Sequence, residues 1–461
     1  GGALLRMLEQ YLGPERFREG VSHYLGLHSY ANTETNDLWD AIEATSGDPV
    51  RRIMDSWIWQ PGYPLVSAEL VEGTLRLRQE RFRFGDDDGG ASGADAQRWA
   101  IPVHVRVGDT ISTLLLDDAS ASVSVEAHSG APIIVNAGGH GFYRVAYSDE
   151  LRARIDADAI ASLSTLERYN IVDDAWAATV AGRMSAGALL ELLREFDGER
   201  EHSVWQAIAI ALRGLGRLLD PGPTLDTFRG QVRELAAPAL AALGEPATDE
   251  PDLTSKLRGL LVGLVGALGD DAGVQARCRE WFETSSSDPT AVDPELTSAA
   301  TSVVATTGDE HTYNLLRERF LTGATPQEQL RHLYALAEFD DESLLLATCE
   351  FAMSSDVRTQ NAPFLLRAAI ANRHHGASAW AFVRDHWEQA LERFPSNTIV
   401  RMVESVKYLS TPELVDETAQ FFAEHPIEQA AKTLEQVLER QRVNAEFRAR
   451  EAARWDGSPI G

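Results

Sequence analysis

The hydrophobic pattern of this chain changes period twice, from about 3.6 residues to 2 and back, and that change limits the folds open to it. A helix repeats its apolar face every three to four residues and a strand every second residue, so no segment satisfies both. Up to about residue 63 the helical period holds. Leu4, Leu8, Tyr11 and Leu12 mark one apolar face, and Pro14 opens a second helix carrying Phe17, Val21, Tyr24 and Leu25. Asn36 is placed to cap a third helix bearing Leu38, Trp39 and Ile42, with Gly47 after it and Pro49 opening a fourth. From Leu65 the period is two. Trp99, Ile101, Val103, Val105 and Val107 alternate up to Gly108-Asp109, and Leu75 and Leu77 follow a turn at Glu72-Gly73. Val123, Val125, Ile133, Val135, Tyr143, Val145 and Tyr147 continue the alternation, which predicts a small β-sandwich over 64–147. The run from Gly85 to Gly93 with Asp86-Asp87-Asp88 reads as a solvated hairpin loop, because a calcium loop needs its acids spread over alternating positions.

From Ser148 onward the pattern is helical again. Thr325-Pro326-Gln327-Glu328 combines a capping residue, a proline at the first helical position and a glutamate placed to close a capping box. Thr411-Pro412-Glu413 starts another helix. Trp380, Val383, Trp387, Leu391 and Phe394 form one apolar stripe, and Leu434, Val437 and Leu438 another. More than three hundred residues of short helices without a strand pattern imply stacked antiparallel pairs, an α-solenoid of degenerate repeats rather than a closed bundle. The expected fold is therefore multidomain α+β, with helices over 1–63, a β-sandwich over 64–147 and a HEAT-like helical superhelix over 148–461.

A chain of 461 residues has room for about three domains, each with its own core. Its net charge of −28 argues against a nucleic-acid partner, since a phosphate backbone is bound by a positive surface. Only Lys256, Lys407 and Lys432 interrupt a heavy use of arginine, a composition that looks salt-adapted or high-GC in origin. No apolar run reaches the roughly 20 residues of a membrane span. The two cysteines, Cys278 and Cys349, stand far apart in helical segments. Two buried thiols favour a reducing compartment, so a cytoplasmic location is expected.

Between the first two regimes lies Met54-Asp55-Ser56-Trp57-Ile58-Trp59-Gln60-Pro61-Gly62-Tyr63-Pro64. It resembles the D-S-W-x-x-Q-x-G-[YF]-P junction that closes the catalytic domain of zinc aminopeptidases related to aminopeptidase N. Three further segments resemble the same family, in the same order. His28-Ser29-Tyr30-Ala31-Asn32-Thr33 with Asp37-Leu38-Trp39 matches H-x-Y-x-N-x-x-x-x-D-L-W. Asn136 with Gly141-Phe142-Tyr143-Arg144-Val145 and Tyr147 matches the strand that ends the family's β-domain. Ser378 to Trp387 matches a W-x-F-[IVL]-x-x-[NH]-W helix of its C-terminal helical domain.

By this resemblance, residues 1–63 are the helical end of a thermolysin-like catalytic domain whose zinc helix lies upstream. Gly1-Gly2-Ala3-Leu4-Leu5-Arg6-Met7 fits the family's Y-x-K-G-[AG]-x-x-[LVI]-R-M from the glycine onward. The tyrosine that supports the oxyanion is then expected three residues before Gly1. Such an enzyme needs two histidines one helical turn apart with a glutamate between them. None of the 12 histidines here belongs to an H-E-x-x-H pattern, and no G-[AS]-M-E-N segment is present. No catalytic residue and no metal ligand are therefore expected in this chain; zinc is implied for the full-length enzyme and none for this portion.

Other groupings read as structural. Adjacent histidines His374 and His375 point about 100° apart on a helix, so surface or loop positions are expected rather than a metal pair. His386 beside Trp387 reads as a packing residue, Gly138-Gly139-His140-Gly141 as a turn, and Asp55 and Trp57 as a helix-end carboxylate and a buried ring. Arginines of the helical domain are candidates to meet a peptide's carboxy-terminus, though nothing in the sequence singles one out. The resemblance implies a monomeric aminopeptidase acting on peptides with free amino termini, in which this portion serves as scaffold and as a length-selecting cover. The alternatives are a non-catalytic helical-repeat scaffold for proteins and a free-standing peptide-binding module.

Overall fold

The structure is a computed structural model that describes residues 1–85, 97–125, 130–247 and 249–454. The loop containing Asp86-Asp87-Asp88 lies outside the described residues. Two compact units are present, one of residues 1–179 and 191–198, the other of 180–190 and 199–461.

The first unit opens with four helices, α1 (Gly2–Leu12), α2 (Pro14–Leu27), α3 (Thr35–Ser46) and α4 (Val50–Ile58). Pro14 occupies the first turn of α2, where its missing N–H has no intrahelical partner to lose. Gly20 lets α2 lie against α3, since a Cβ there would come within 2.8 Å of the Ile42 Cα. The start of α3 differs from the expected cap at Asn36. Glu34 is the N-cap and forms a reciprocal capping box with Asp37, whose carboxylate accepts from the Glu34 N–H at 2.8 Å, so Asn36 falls inside the first turn. Gly47 ends α3 in the left-handed region at φ 75°.

Seven strands follow: β1 (Pro64–Val71), β2 (Thr74–Arg81), β3 (Ile101–Val107), β4 (Thr110–Leu116), β5 (Ser120–Ser124), β6 (Ile133–Val135) and β7 (Arg144–Tyr147). They form a four-stranded sheet in the order β5-β2-β1-β7 and a three-stranded sheet in the order β4-β3-β6. β1 and β7 run parallel; the other pairs are antiparallel. Both residues of the Glu72-Gly73 turn have positive φ, 48° and 76°, the geometry that suits a two-residue hairpin. Leu75 and Leu77 of β2 and Ile101, Val103 and Val105 of β3 face a hydrophobic cluster that also takes Met7, Leu8, Ile42 and Ile53 from the helices. The helical start and the strands therefore share one core. Buried Gln79 ties the sheets together: its Nε2 donates to the Trp99 carbonyl at 2.9 Å and the Asp118 carbonyl at 2.9 Å, and its Oε1 accepts from Trp99 N at 2.9 Å.

The second unit has no strand among its described residues. Helices near in sequence lie against one another, as Asp252–Gly263 and Ala272–Ser287 both do on Pro294–Thr306, and Glu310–Thr322 on Pro326–Ala335. Leu264–Leu268 is a short π-helical turn continuing Asp252–Gly263. The stripe expected from Trp380 to Phe394 is not one helix. It breaks at His386 into Gly376–Asp385 and Trp387–Arg393, so Trp380, Val383, Trp387 and Phe394 remain buried while Leu391 is 44% exposed. A non-helical ψ of 20° at His386 redirects the second helix, and the helical period restarts there. Both thiols are buried, and burial pushes Cys278 and Cys349 up to about 12. Among the described residues no helix is long and apolar enough to cross a membrane.

Candidate functional site

Two of the family-like segments of the first unit hold elements together, whereas Tyr30 of the His28 to Thr33 segment is exposed. Ser56 Oγ at the end of α4 accepts from Ala100 N at 3.0 Å, and the Trp57 indole N–H donates to the Ala100 carbonyl at 3.1 Å. The Trp57 ring meets Trp99 and Phe142 at centroid distances of 6.2 and 6.1 Å. Gln60 Nε2 bridges the Ser56 and Arg98 carbonyls, at 2.6 and 2.8 Å. Asp55 accepts from Arg51 Nε at 2.9 Å and from the Trp59 indole at 3.0 Å, outside the buried core.

The Asn136 to Tyr147 segment is a second clamp. Asn136 takes the left-handed conformation at φ 66°, where its Oδ1 can accept from Gly141 N at 2.7 Å. Gly138 and Gly139 lie in a turn whose Gly138 N–H donates to Glu167 Oε1 at 2.9 Å. Three further donors, Ser164 N, Ser164 Oγ and Arg106, hold the Glu167 carboxyl below its ordinary pKa against the opposing effect of burial. Arg144 pairs with Asp173 and, at 3.1 Å, with Asp174, which also accepts from Val145 N at 3.0 Å. Burial nevertheless pushes Asp174 up to about 7. These contacts fix the last strand to the helix Thr165–Val180, a positioning role with no substrate-facing group in evidence among them.

In the second unit the Ser378 to Trp387 segment is likewise a packing element: Trp380 and Trp387 enclose Phe421 and Phe422, with Trp380–Phe421 and Trp387–Phe421 ring centroids 5.3 and 5.2 Å apart. His386 stacks on Phe382 at 4.0 Å, with its Nδ1 2.9 Å from the Phe382 carbonyl. His374 and His375 lie in a loop, and their Nε2 atoms are 3.8 and 3.5 Å from the Asp340 carboxylate. Among the described residues no group of three or more His, Cys, Asp or Glu side chains could hold a metal ion.

One grouping has the chemistry of a recognition site. Arg213 and Arg217 share a face at the end of His202–Gly216, Arg229 comes from Pro223–Leu243, and Arg373 from the loop after Ala362–Ile370. Burial, then Arg229 and Arg217, push Arg373 down to about 10. Arg217 is lowered by burial and by Arg213, and its guanidinium lies 4.4 Å from the centroid of the Tyr408 ring. Arg213 is exposed, and desolvation by the protein around it lowers its pKa. It has no hydrogen bond or ion pair among the described residues; Glu338 acts on it through space. Nε of Arg229 and of Arg373 is buried without a hydrogen-bond partner. Gly216 makes room for the cluster, since a Cβ there would crowd Leu268 at 3.0 Å and Phe228 at 3.3 Å and reach Arg373 Nη1 at 3.9 Å. Arg217 and Arg373 are each lowered by a neighbouring guanidinium, while Arg229 already pairs with Asp226 at 3.1 Å and Asp270 at 3.5 Å; the donors left over suit a carboxylate, which accepts bidentate hydrogen bonds from guanidinium. The Arg213, Arg217 spacing is visible in the sequence as one helix face. Arg373 is brought in by tertiary structure, which left no local signal.

Residues 132–443 match the ERAP1-like C-terminal domain, and residues 1–57 match the peptidase family M1 domain. Among similar proteins, Aminopeptidase M1-A of Oryza sativa subsp. japonica is 29% identical over 97% of this chain and 52% of its own length. Aminopeptidase M1 of Arabidopsis thaliana is 29% identical over 97% of this chain and 53% of its own length. Tricorn protease-interacting factor F2 of Thermoplasma acidophilum is 34% identical over 70% of this chain and 39% of its own length. The chain spans about half the length of the aminopeptidases it matches. With an ERAP1-like domain over most of its length and the end of an M1 domain before it, the chain belongs to the aminopeptidase N-like M1 peptidases and corresponds to their C-terminal portion.

Proposed function

We propose that the complete protein is a zinc-dependent aminopeptidase and that this portion receives the substrate peptide at a distance from the reacting bond. The observation that carries the reading is the grouping of Arg213, Arg217, Arg229 and Arg373 in a chain of net charge −28. A cationic grouping on an anionic protein is selective by contrast: the surrounding charge repels anions, and the guanidinium donors not taken by Asp226 and Asp270 are left to accept one. In a peptide held by its free amino terminus elsewhere, the group left to recognise is the terminal carboxylate. Engaging it requires a peptide that spans the interval, so the grouping acts as a length gauge. Among the described residues no group of three or more His, Cys, Asp or Glu side chains could hold a zinc ion, and in this proposal the zinc belongs to the complete protein.

The same proposal takes the two sheets as a β-sandwich and the helices of 148–461 as a HEAT-like solenoid, with 1–63 as the end of the catalytic domain. A monomer in the cytoplasm acting on peptides with free amino termini completes it. A second reading is favoured by one relative, whose name describes a factor that interacts with a protease. In that reading the helical surface binds a protein, and a short peptide has no preferred place on it.

Peptide binding to the 461-residue chain separates the readings. A ten-residue peptide with a free carboxylate is expected to bind about tenfold more tightly than its carboxamide. Arg213→Gln, which breaks no hydrogen bond or ion pair among the described residues, is expected to remove most of that difference, and Arg373→Gln the rest. Equal affinity for acid and amide, or a preference unaltered by Arg213→Gln, would contradict the role given to the grouping.

A further inference from the structure

A separate cavity of about 450 Å³ opens in the second unit between the helix Trp387–Arg393, the start of Ser396–Val403 and the turn at His425–Gln429. Its volume is that of a small-molecule site. Trp387, Leu391, Ile399, Pro426 and Ile427 make the apolar part of the lining, and polar side chains the rest. Leu391, 44% exposed, leaves at this cavity an apolar surface that a ligand body would cover.

Glu388 and Glu428 are the acidic groups of the lining, beside His425 and beside Ser396 and Gln429, whose side chains both donate and accept. His425 Nδ1 lies 3.0 Å from the Phe421 carbonyl, which can only accept, so Nδ1 carries the hydrogen and Nε2 of the neutral ring is an acceptor. Stacking on Phe421, with centroids 4.3 Å apart and planes 18° from parallel, fixes that ring. Glu388 and Glu428 line the same cavity. Neither has a hydrogen bond or an ion pair among the described residues, and the lining contains no lysine or arginine. An open cavity with an apolar side, offering carboxylates, an imidazole acceptor and an indole, is matched by a ligand that brings donors and positive charge on a hydrophobic body.

We propose that this cavity binds an apolar primary amine, its ammonium group between Glu388, Glu428 and His425 and its hydrocarbon body against Trp387, Leu391 and Ile399. The site shares no residue with the arginine grouping and does not depend on the peptidase reading.

The test is calorimetric titration of the 461-residue chain with 2-phenylethylamine and with 2-phenylethanol, which keeps the body and replaces the ammonium by a hydroxyl. Saturable binding of the amine, about tenfold tighter than the alcohol, is expected. Glu388→Gln combined with Glu428→Gln should bring the two probes to about the same affinity; both side chains are exposed, and circular dichroism verifies that the fold persists. A free amine and the amino terminus of an apolar peptide share this chemistry, and Leu-Gly-Gly carboxamide distinguishes them. Tighter binding of the tripeptide assigns the site to a peptide terminus and weaker binding to a free amine, either in support of an ammonium site. Equal affinity for amine and alcohol, no saturable binding, or a preference that survives the double substitution overturns the proposal.

Discussion

Asp174 shows how a single buried carboxyl can tie stability to pH. It is raised to about 7 from an ordinary 3.8, chiefly by burial and against the pull of Arg144. A folded-state value above the unfolded one means that, between pH 4 and 7, the folded chain keeps a proton that the unfolded chain has released. The contribution is complete at the acid end and is lost as pH rises through 7. His332, lowered to about 4 by burial, works in the opposite direction over much of the same range, so the difference between two proteins is the cleaner readout. Asp174→Asn keeps an acceptor for Val145 N and removes the titration. Thermal or urea unfolding is expected to show the wild type losing about 4 kcal/mol relative to Asp174→Asn between pH 4 and 8. Parallel pH profiles would contradict this.

Individual residues differ in how much of their role the sequence discloses. Trp57 is legible because a large ring at a fixed place in a junction motif has few uses other than burial, and it is 6% exposed. Asp174 and Arg373 are not, because their environments are made by neighbours 29 and 154 residues away in sequence.

At the scale of elements, local chemistry decides boundaries and tertiary fit decides the rest. The cap at Thr325 is an example of success with a changed detail. Thr325 Oγ1 accepts from Glu328 N at 3.2 Å, as the Thr-Pro-Gln-Glu pattern predicts, but the Glu328 carboxylate returns to Ala324 N at 3.0 Å instead of Thr325 N. The helix end still satisfies two donors. Thr325→Ala is expected to cost about 1 kcal/mol in chemical denaturation and Thr325→Ser only a few tenths; a loss equal for both would place the contribution in the methyl group instead of the hydroxyl. The first boundary of α3 was less legible because Glu34, Asn36 and Asp37 all carry capping chemistry, and only the reach of Asp37 back to Glu34 N selects among them. The break at His386 was hidden for a different reason. Its two helices bury Trp380, Val383, Trp387 and Phe394 at spacings that a single helix also produces, and only the exposure of Leu391 reveals the restart. The ring of the joining residue His386 packs back on Phe382 of the first helix.

For the whole molecule, the order of regimes, helical, alternating, helical, was legible because periodicity integrates over many residues. The hydrophobic cluster spanning α1 to α4 and the strands, by contrast, follows from long-range contacts such as Trp57 to Ala100 that no window of sequence contains. The arginine grouping belongs to the same class of property, assembled from residues 213, 217, 229 and 373 by the fold of the second unit. Its proposed task gives the net charge a consequence: raising salt screens the surrounding anions beyond about 8 Å while the short guanidinium–carboxylate contacts persist. In the proposed function this chain receives the peptide and the complete protein cleaves it. The direct measurement is release of amino-terminal residues by the product of the complete gene, with the 461-residue chain assayed beside it, before and after a chelator and then with zinc restored. Turnover by the complete protein alone, abolished by the chelator and recovered with zinc, is the predicted result. Turnover by the chain itself, or none by the complete protein with zinc present, would contradict it.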